Sequence, residues 1–223
     1  MKQIFRSCLV FLAVVSLFVP AMTTIFANSL KGKIKKNVYY SPANNFTVPV
    51  PPGMGMKAND AYDKSGVGAV SFHDDFGAQT GIHYMLVPAE VLPSLASTET
   101  REANLKQWLH EGAMKTWFLP AIPKARVIHE EMDTFEGMAV LKAMVALPEG
   151  STTTVMDSQG QRRLDSYRGL IIFPKGKYMY MLTTETVTGF MAAQPESQRE
   201  PGENWAKFVD GVKPFYKSIV FSE

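Results

Sequence analysis

The chain has 223 residues, 46% apolar and 20% charged, enough for one globular domain behind a leader and too apolar for a disordered chain. Its single cysteine, Cys8, leaves the rest of the chain without disulfides, zinc–thiolate centres or a thiol nucleophile, and no disulfide-linked partner is expected. The formal charge of +2 includes Lys2 and Arg6; without residues 1–27 the chain carries 21 basic and 21 acidic residues, and after residue 36 it carries 17 against 21, which is no footprint for DNA or RNA.

Residues 1–27 have the layout of a secretory signal peptide: Lys2 and Arg6, an apolar run from Leu9 to Val19 broken only by Ser16, then Pro20 and small residues up to Ala27. Ala27 is the preferred last residue of the leader, and Thr23 is the second choice. Cys8 precedes the apolar run, so it is no lipidation site. The competing reading is an uncleaved anchor, since Ser7 to Ala27 is uncharged and Lys31, Lys33, Lys35 and Lys36 follow it. The expectation is a periplasmic or secreted protein, with contact to a membrane only if the leader stays attached.

Asn28–Asn37 reads as a basic, mobile leader into a single domain over 38–223. Val38–Tyr40 is a short extended piece, and Phe46–Val50 is a strand whose prolines place it at an edge or stop it early. Lys57–Tyr62, Val67–His73 and Thr80–Val87 are further strands, closed by turns at Asp63–Gly66 and Asp74–Gly77. Thr98 opens a helix to about residue 118, with Leu105, Trp108, Leu109, Gly112, Thr116 and Trp117 on one face, and Pro120 ends it. Strands resume at Ala125–Met132, Met138–Leu147, Thr152–Met156, Arg162–Phe173 and Lys177–Val187. A last helix from about Glu203 keeps Trp205, Phe208, Val209, Val212, Phe215, Tyr216 and Ile219 on one face, with a kink at Gly211 and Pro214.

The stretch Tyr167–Val187 organises this order. Leu170–Phe173 and Tyr178–Leu182 are apolar throughout and flank a connection with Pro174 and Gly176, as in a hairpin covered on both faces. The fold class is α+β: a central antiparallel sheet with helices packed on both faces, an α/β/α sandwich. Three stretches resemble PsbP-like domains: Tyr40–Phe46 leading into a Val-Pro strand, the pair Arg168–Phe173 and Tyr178–Leu182, and a final amphipathic helix ending in Ser218–Phe221. The resemblance covers most of residues 38–221 and implies this fold and a binding or assembly role. It transfers no functional residue.

No residue pattern specifies catalysis or a cofactor, and none is expected. His73, Asp74 and Asp75 offer nitrogen and oxygen donors for a small metal site, or else make a polar turn. Met54 and Met56 in a loop, and Met179 and Met181 on one strand face, have copper(I) chemistry but also fill core gaps. Glu130 and Glu131 point to opposite faces of a strand, a poor acid–base pair. The most unusual surface is Pro49, Pro51, Pro52, Met54 and Met56, a stiff segment running into a flexible one and suited to a partner groove, or else an edge strand entering a loop. The sequence reading is an exported, non-enzymatic binding or assembly domain whose partner is a protein or envelope component. An unrecognised hydrolase or metal-dependent enzyme, or a small-molecule or metal carrier, is the alternative.

Overall fold

The computed structural model describes residues 30–54, 60–62, 65–73, 79–150, 154–157, 160–187 and 205–222. Three short strands come first: β1 (Lys33–Lys35), β2 (Val38–Tyr40) and β3 (Phe46–Pro49). Lys36 and Asn37, both at positive φ, turn β1 into β2, and Asn44 does the same before β3. Then come β4 (Ala61–Tyr62), β5 (Val67–His73) and β6 (Gln79–Leu86). A helical stretch follows: α1 (Leu92–Ala96), then α2 (Thr98–Gln107), which runs on as a π-helix over Trp108–Phe118. The chain returns through β7 (Arg126–Phe135), β8 (Met138–Leu147), β9 (Thr154–Asp157), β10 (Gly160–Arg163), β11 (Ser166–Lys175) and β12 (Tyr178–Val187). It closes with α3 (Trp205–Asp210), α4 (Lys213–Ser218) and β13 (Val220–Phe221).

Seven strands form one antiparallel sheet in the order β4-β5-β6-β12-β11-β8-β7, with the β11–β12 hairpin inside it. Side chains alternate across that hairpin, and both sets are dry. Leu170, Ile172, Met179 and Met181 face α1, α2 and the π-helix, where Leu95, Leu105, Leu109, Met114 and Phe118 cover them. Ile171, Phe173, Tyr178, Tyr180 and Leu182 face the opposite way. There Val209, Val212 and Ile219 of the C-terminal segment share the cover with Tyr39, Phe46 and Val48. The α+β fold with helices on both faces of an antiparallel sheet is therefore the one observed.

The second cover is more than a helix. It is a four-stranded sheet, β1-β2-β3-β13, laid over the large one beside α3 and α4. An aromatic cluster cements the two sheets. Phe173 stacks on Tyr180 at 5.6 Å, Phe221 meets Tyr180 at 4.9 Å, and Phe46 meets Tyr84 at 5.5 Å. Tyr39 donates its hydroxyl to Asp60 Oδ1 at 2.7 Å, while the other carboxylate oxygen accepts the Gly32 amide. Burial, and then Asp60 itself, push the Tyr39 phenol far above its ordinary value, so it stays a donor.

Several sequence expectations are corrected here. Part of the expected leader is structured: Lys33–Lys35 is an edge strand, and Leu30 bridges Tyr62. The strand at Phe46 is no edge, because β13 pairs with Phe46 and Thr47 on its far side. Pro49 is accommodated because that pairing ends before it. Pro174 lies within β11 rather than in its turn; β8 pairs only as far as Ile172, so the missing amide costs no bond there. Arg162–Phe173 is not one strand: it divides into β10, which pairs only with β9, and β11. The single kinked C-terminal helix is two short ones, α3 and α4, with Gly211 and Val212 between them. Glu203, the expected leader over residues 1–27, Asn28 and Ser29 lie outside the described residues.

A charge network ties α3 and α4 to the sheet. Lys142 of β8 has only 5% of its side chain exposed, yet it points to the face that α3 covers. Its Nζ lies 2.9 Å from Asp210 and 3.4 Å from Asp133, and Lys213 at the start of α4 also reaches Asp210 at 2.9 Å. Burial pulls the Lys142 ammonium down, but Asp210 and Asp133 outweigh it and hold its pKa above the ordinary value. Burial raises the Asp210 and Asp133 carboxyls; the two lysines, and the Thr134 amide for Asp133, outweigh it and hold both below 3.8.

Because the folded carboxyl values are depressed, their contribution is present above 3.8 and is lost as pH falls through the lower folded values. Asp210→Asn is expected to cost about 1 kcal/mol at neutral pH, an allowance for its partial exposure. It should also flatten the loss of stability on acidification, read by urea melts from neutral to acid pH.

Candidate functional site

The sequence-derived site residues do not converge. His73 ends β5, with Nε2 3.0 Å from Ser71 Oγ, while Asp74 and Asp75 lie outside the described residues. Among the described residues no group of three His, Cys, Asp or Glu is placed to hold a metal ion. Met179 and Met181 are fully buried among the aliphatic side chains under α2 and the π-helix. Of the partner-binding candidates, Pro49 and Pro52 are exposed and Pro51 is half-buried. Met54 turns inward and packs on the core between the two sheets, so it is not a free sticky side chain. Met56 lies outside the described residues.

Two features emerge that the sequence did not single out. The first is the outer face of the small sheet. Tyr39, Phe46 and Val48 point into the core, so alternation turns Val38, Tyr40, Thr47 and Pro49 outward. Cross-strand register lines up Lys33, Tyr40, Thr47 and Val220 in one row, and Lys35, Val38 and Pro49 in the next. Tyr40 is 43% and Val220 66% exposed. Of six large hydrophobic side chains exposed among the described residues, Leu30, Ile34, Tyr40 and Val220 lie on or beside this sheet.

Its charge is equally one-sided. No acidic residue precedes Asp60 in the sequence, so β1, β2 and β3 contain none. Residues 28–59 carry five lysines; residues 60–223 carry 16 basic residues against 21 acidic ones. Lys31, Lys33, Lys35 and Lys36 are exposed, and none has a carboxylate partner among the described residues. Lys106, Lys142, Lys213 and Lys217 are ion-paired, whereas Lys124, Lys175, Lys177 and Lys207 are exposed without a carboxylate partner among the described residues.

The second feature lies on the helix-covered face, where the apolar floor gives way to polar residues. His73, Gln79, Glu185 and Arg168 follow one another across β5, β6, β12 and β11. Arg168 and Gln79 both donate to Glu185, which is 9% exposed. The neighbouring row is Ser71, Gly81 and Thr183, with His83 beside it on β6. Ser71 and His73 have the residue types of a nucleophile and a base. Ser71, however, sits flush within a regular strand rather than being lifted on a turn.

The π-helix supplies the roof. Trp108 and Trp117 are nine residues apart, about two and a half turns of an α-helix, which sets them on opposite sides. The wider i→i+5 winding, seen where the Leu119 amide reaches the Met114 carbonyl at 2.9 Å, brings them together with ring centres 5.6 Å apart. Trp117 then meets the His83 ring at 5.2 Å, and the Arg168 guanidinium lies 5.7 Å from the Phe118 ring centre. Burial, then the Arg168 charge, push the His83 imidazole down to about 3. The two tryptophans at a nine-residue spacing were the available signal, but nothing in composition marks a π-helix.

No family model matches the chain, and no curated protein matches it. Solved structures do. The solution structure of cyanobacterial PsbP (CyanoP) from Synechocystis sp. PCC 6803 is similar over 88% of this chain and 99% of that chain, with 11% identity and a TM-score of 0.43. A crystal structure from Bacteroides thetaiotaomicron matches over 85% of this chain and 50% of that one, at 8% identity and a TM-score of 0.42. LpqN of Mycobacterium tuberculosis, described as involved in cell envelope biogenesis, matches over 80% and 83%, at 8% identity and a TM-score of 0.33. No residue role is carried across from any of them.

A neutral His83 is a checkable consequence of this geometry. Its ring should titrate at about 3 rather than 6.5, followed by carbon-13 and nitrogen-15 chemical shifts. Because the unfolded chain takes up that proton first, the His83 contribution to stability is lost as pH falls below 6.5.

Proposed function

We propose that this is an exported domain that binds rather than catalyses, and that the outer face of the small sheet docks it on an anionic envelope surface. One observation carries the reading: the row that exposes Tyr40 and Val220, with Lys33 at its end, lies in a sheet with no acidic residue, beside lysines that have no ion-pair partner among the described residues. An apolar strip rimmed by cations suits acidic lipid headgroups, with the aromatic ring at the interface and the lysines over the charge. The net negative charge of residues 60–223 favours approach by this face. Export rests on the leader pattern of residues 1–27. No helix among the described residues is long and apolar enough to cross a membrane.

The reading predicts sedimentation of the protein with vesicles of acidic phospholipid and not with vesicles of phosphatidylcholine alone. Each lysine near such a surface is worth about 1 kcal/mol, so Lys33→Glu with Lys35→Glu should weaken binding at least ~30-fold. Raising the salt should weaken the wild type in the same direction. Equal binding to both vesicle types, or no effect of the charge reversals, would contradict the proposal.

A further inference from the structure

β13 is one edge of the small sheet, and the turn of the central hairpin lies beside it. Phe221 of β13 meets Phe173 at 6.0 Å and Tyr180 at 4.9 Å, just inside that turn. Strand alternation sends Lys175 to the same side as Phe173, and its Nζ lies 5.1 Å from the Phe221 ring centre. Gly176 turns the chain at φ +56°, and Lys177 Nζ then lies 5.8 Å from the Tyr178 ring centre. Both rings pack on the core between the two sheets, so the two lysines stand at its rim. Both are exposed, and neither has a carboxylate partner among the described residues.

The turn also exposes an apolar side chain. Leu86 pairs with Tyr178 and is 39% exposed. It lies two residues after Tyr84, on the side of the large sheet that faces the small one. The Val87 amide donates to the Lys177 carbonyl at 2.8 Å and holds the end of β6 against the turn. Of the six exposed large hydrophobic side chains among the described residues, only Met156, on the β9–β10 ribbon, then lies away from the small sheet and this rim.

Charge follows the same outline. No acidic residue falls in 30–49, 173–180 or 215–222, the segments that build the corner, and Glu223 lies outside the described residues. Lys217 is paired with Glu136 at 3.2 Å. The row Lys33, Tyr40, Thr47 and Val220 therefore has a lysine at one end and Lys175 past the other. Three strand spacings make that row about 14 Å long. That exceeds the Debye length of about 8 Å, so the two groups of lysines act on different anions. Separate cations around an apolar centre fit an extended layer of acidic headgroups better than one small anion.

We infer that the docking face turns the corner at β13, and that the β11–β12 turn, with Lys175, Lys177 and Leu86, is a second contact to the acidic bilayer. This rests on the membrane reading above and adds an orientation, with the tip of the central hairpin in the headgroup layer. The test uses the full chain and vesicles of phosphatidylglycerol with phosphatidylcholine, followed by sedimentation and by amide hydrogen exchange. Lys175→Gln with Lys177→Gln should weaken binding about 30-fold, as two lysines at an anionic surface would. Combined with Lys33→Glu and Lys35→Glu, the two losses should multiply. Lys124→Gln with Lys207→Gln makes the same change of charge outside the corner and should stay within about threefold of the wild type. In the wild type, vesicles should protect the amides of residues 175–177, and sodium phosphate should not; this readout carries the test if the turn variant misfolds by circular dichroism. The inference is overturned if those amides stay unprotected, if phosphate protects them equally, or if the turn variant binds as the Lys124 and Lys207 variant does. Loss of binding in Lys33→Glu with Lys35→Glu but not in the turn variant sinks this inference alone. A wild type that ignores acidic vesicles sinks the membrane reading with it.

Discussion

A hairpin that is apolar on both faces cannot be left with a wet side. Leu170–Phe173 of β11 and Tyr178–Leu182 of β12 are all buried, and the alternation of a strand sends half of them each way. The rest of the chain answers that requirement twice. On one side the cover is local in sequence, the α1, α2 and π-helix segment between β6 and β7. On the other it is built from both ends of the chain: β1 to β3 from the start, and α3, α4 and β13 from the finish. The pairing of β13 with β3 joins those ends, so the second cover forms only when residues about 46 and 221 meet. Burying one Leu- or Ile-sized side chain is worth roughly 1.5–3 kcal/mol, so leaving either face of the hairpin wet would cost several times that.

Charge is distributed to the same plan. Buried or helix-facing cations such as Lys142 and Arg168 are given carboxylates, because an unpaired charge there would be costly. The four lysines around β1 face water and are left without partners among the described residues. The molecule is thus basic at one layer and acidic through the rest. That asymmetry does nothing for the fold; it matters to what approaches the small sheet. The polar floor under Trp117 has the opposite character, with its two charges cancelled and its hydrogen-bonding groups partly unmet.

The sheet's centre, the antiparallel order and the long helix segments were legible because their signals are local: runs of β-branched residues, periodic tryptophans and prolines at boundaries. The small sheet was only half legible. Lys33-Ile-Lys35 reads as a solvated leader, and only pairing with β2 makes it a strand. The π-helix was hidden because Trp108 and Trp117 were read onto one α-helical face, which their nine-residue spacing forbids. The site residues were the least legible. Ser71, Gln79, Arg168, Thr183 and Glu185 form no sequence motif, and only the register of four strands brings them to one floor. Conversely, Met54 looked like a free sticky residue because a Gly-Met-Gly-Met run carries no sign of which methionine turns inward.

The central claim is that the hairpin is architecture covered on both sides, with recognition left to the periphery. Comparing Ile171→Ala with Ile172→Ala in urea unfolding tests it most directly, since neighbouring residues report on opposite covers. The account predicts that each costs about 2–5 kcal/mol, as expected for a fully enclosed aliphatic side chain. A near-neutral effect at either position would mean that one face is not covered, and would contradict it.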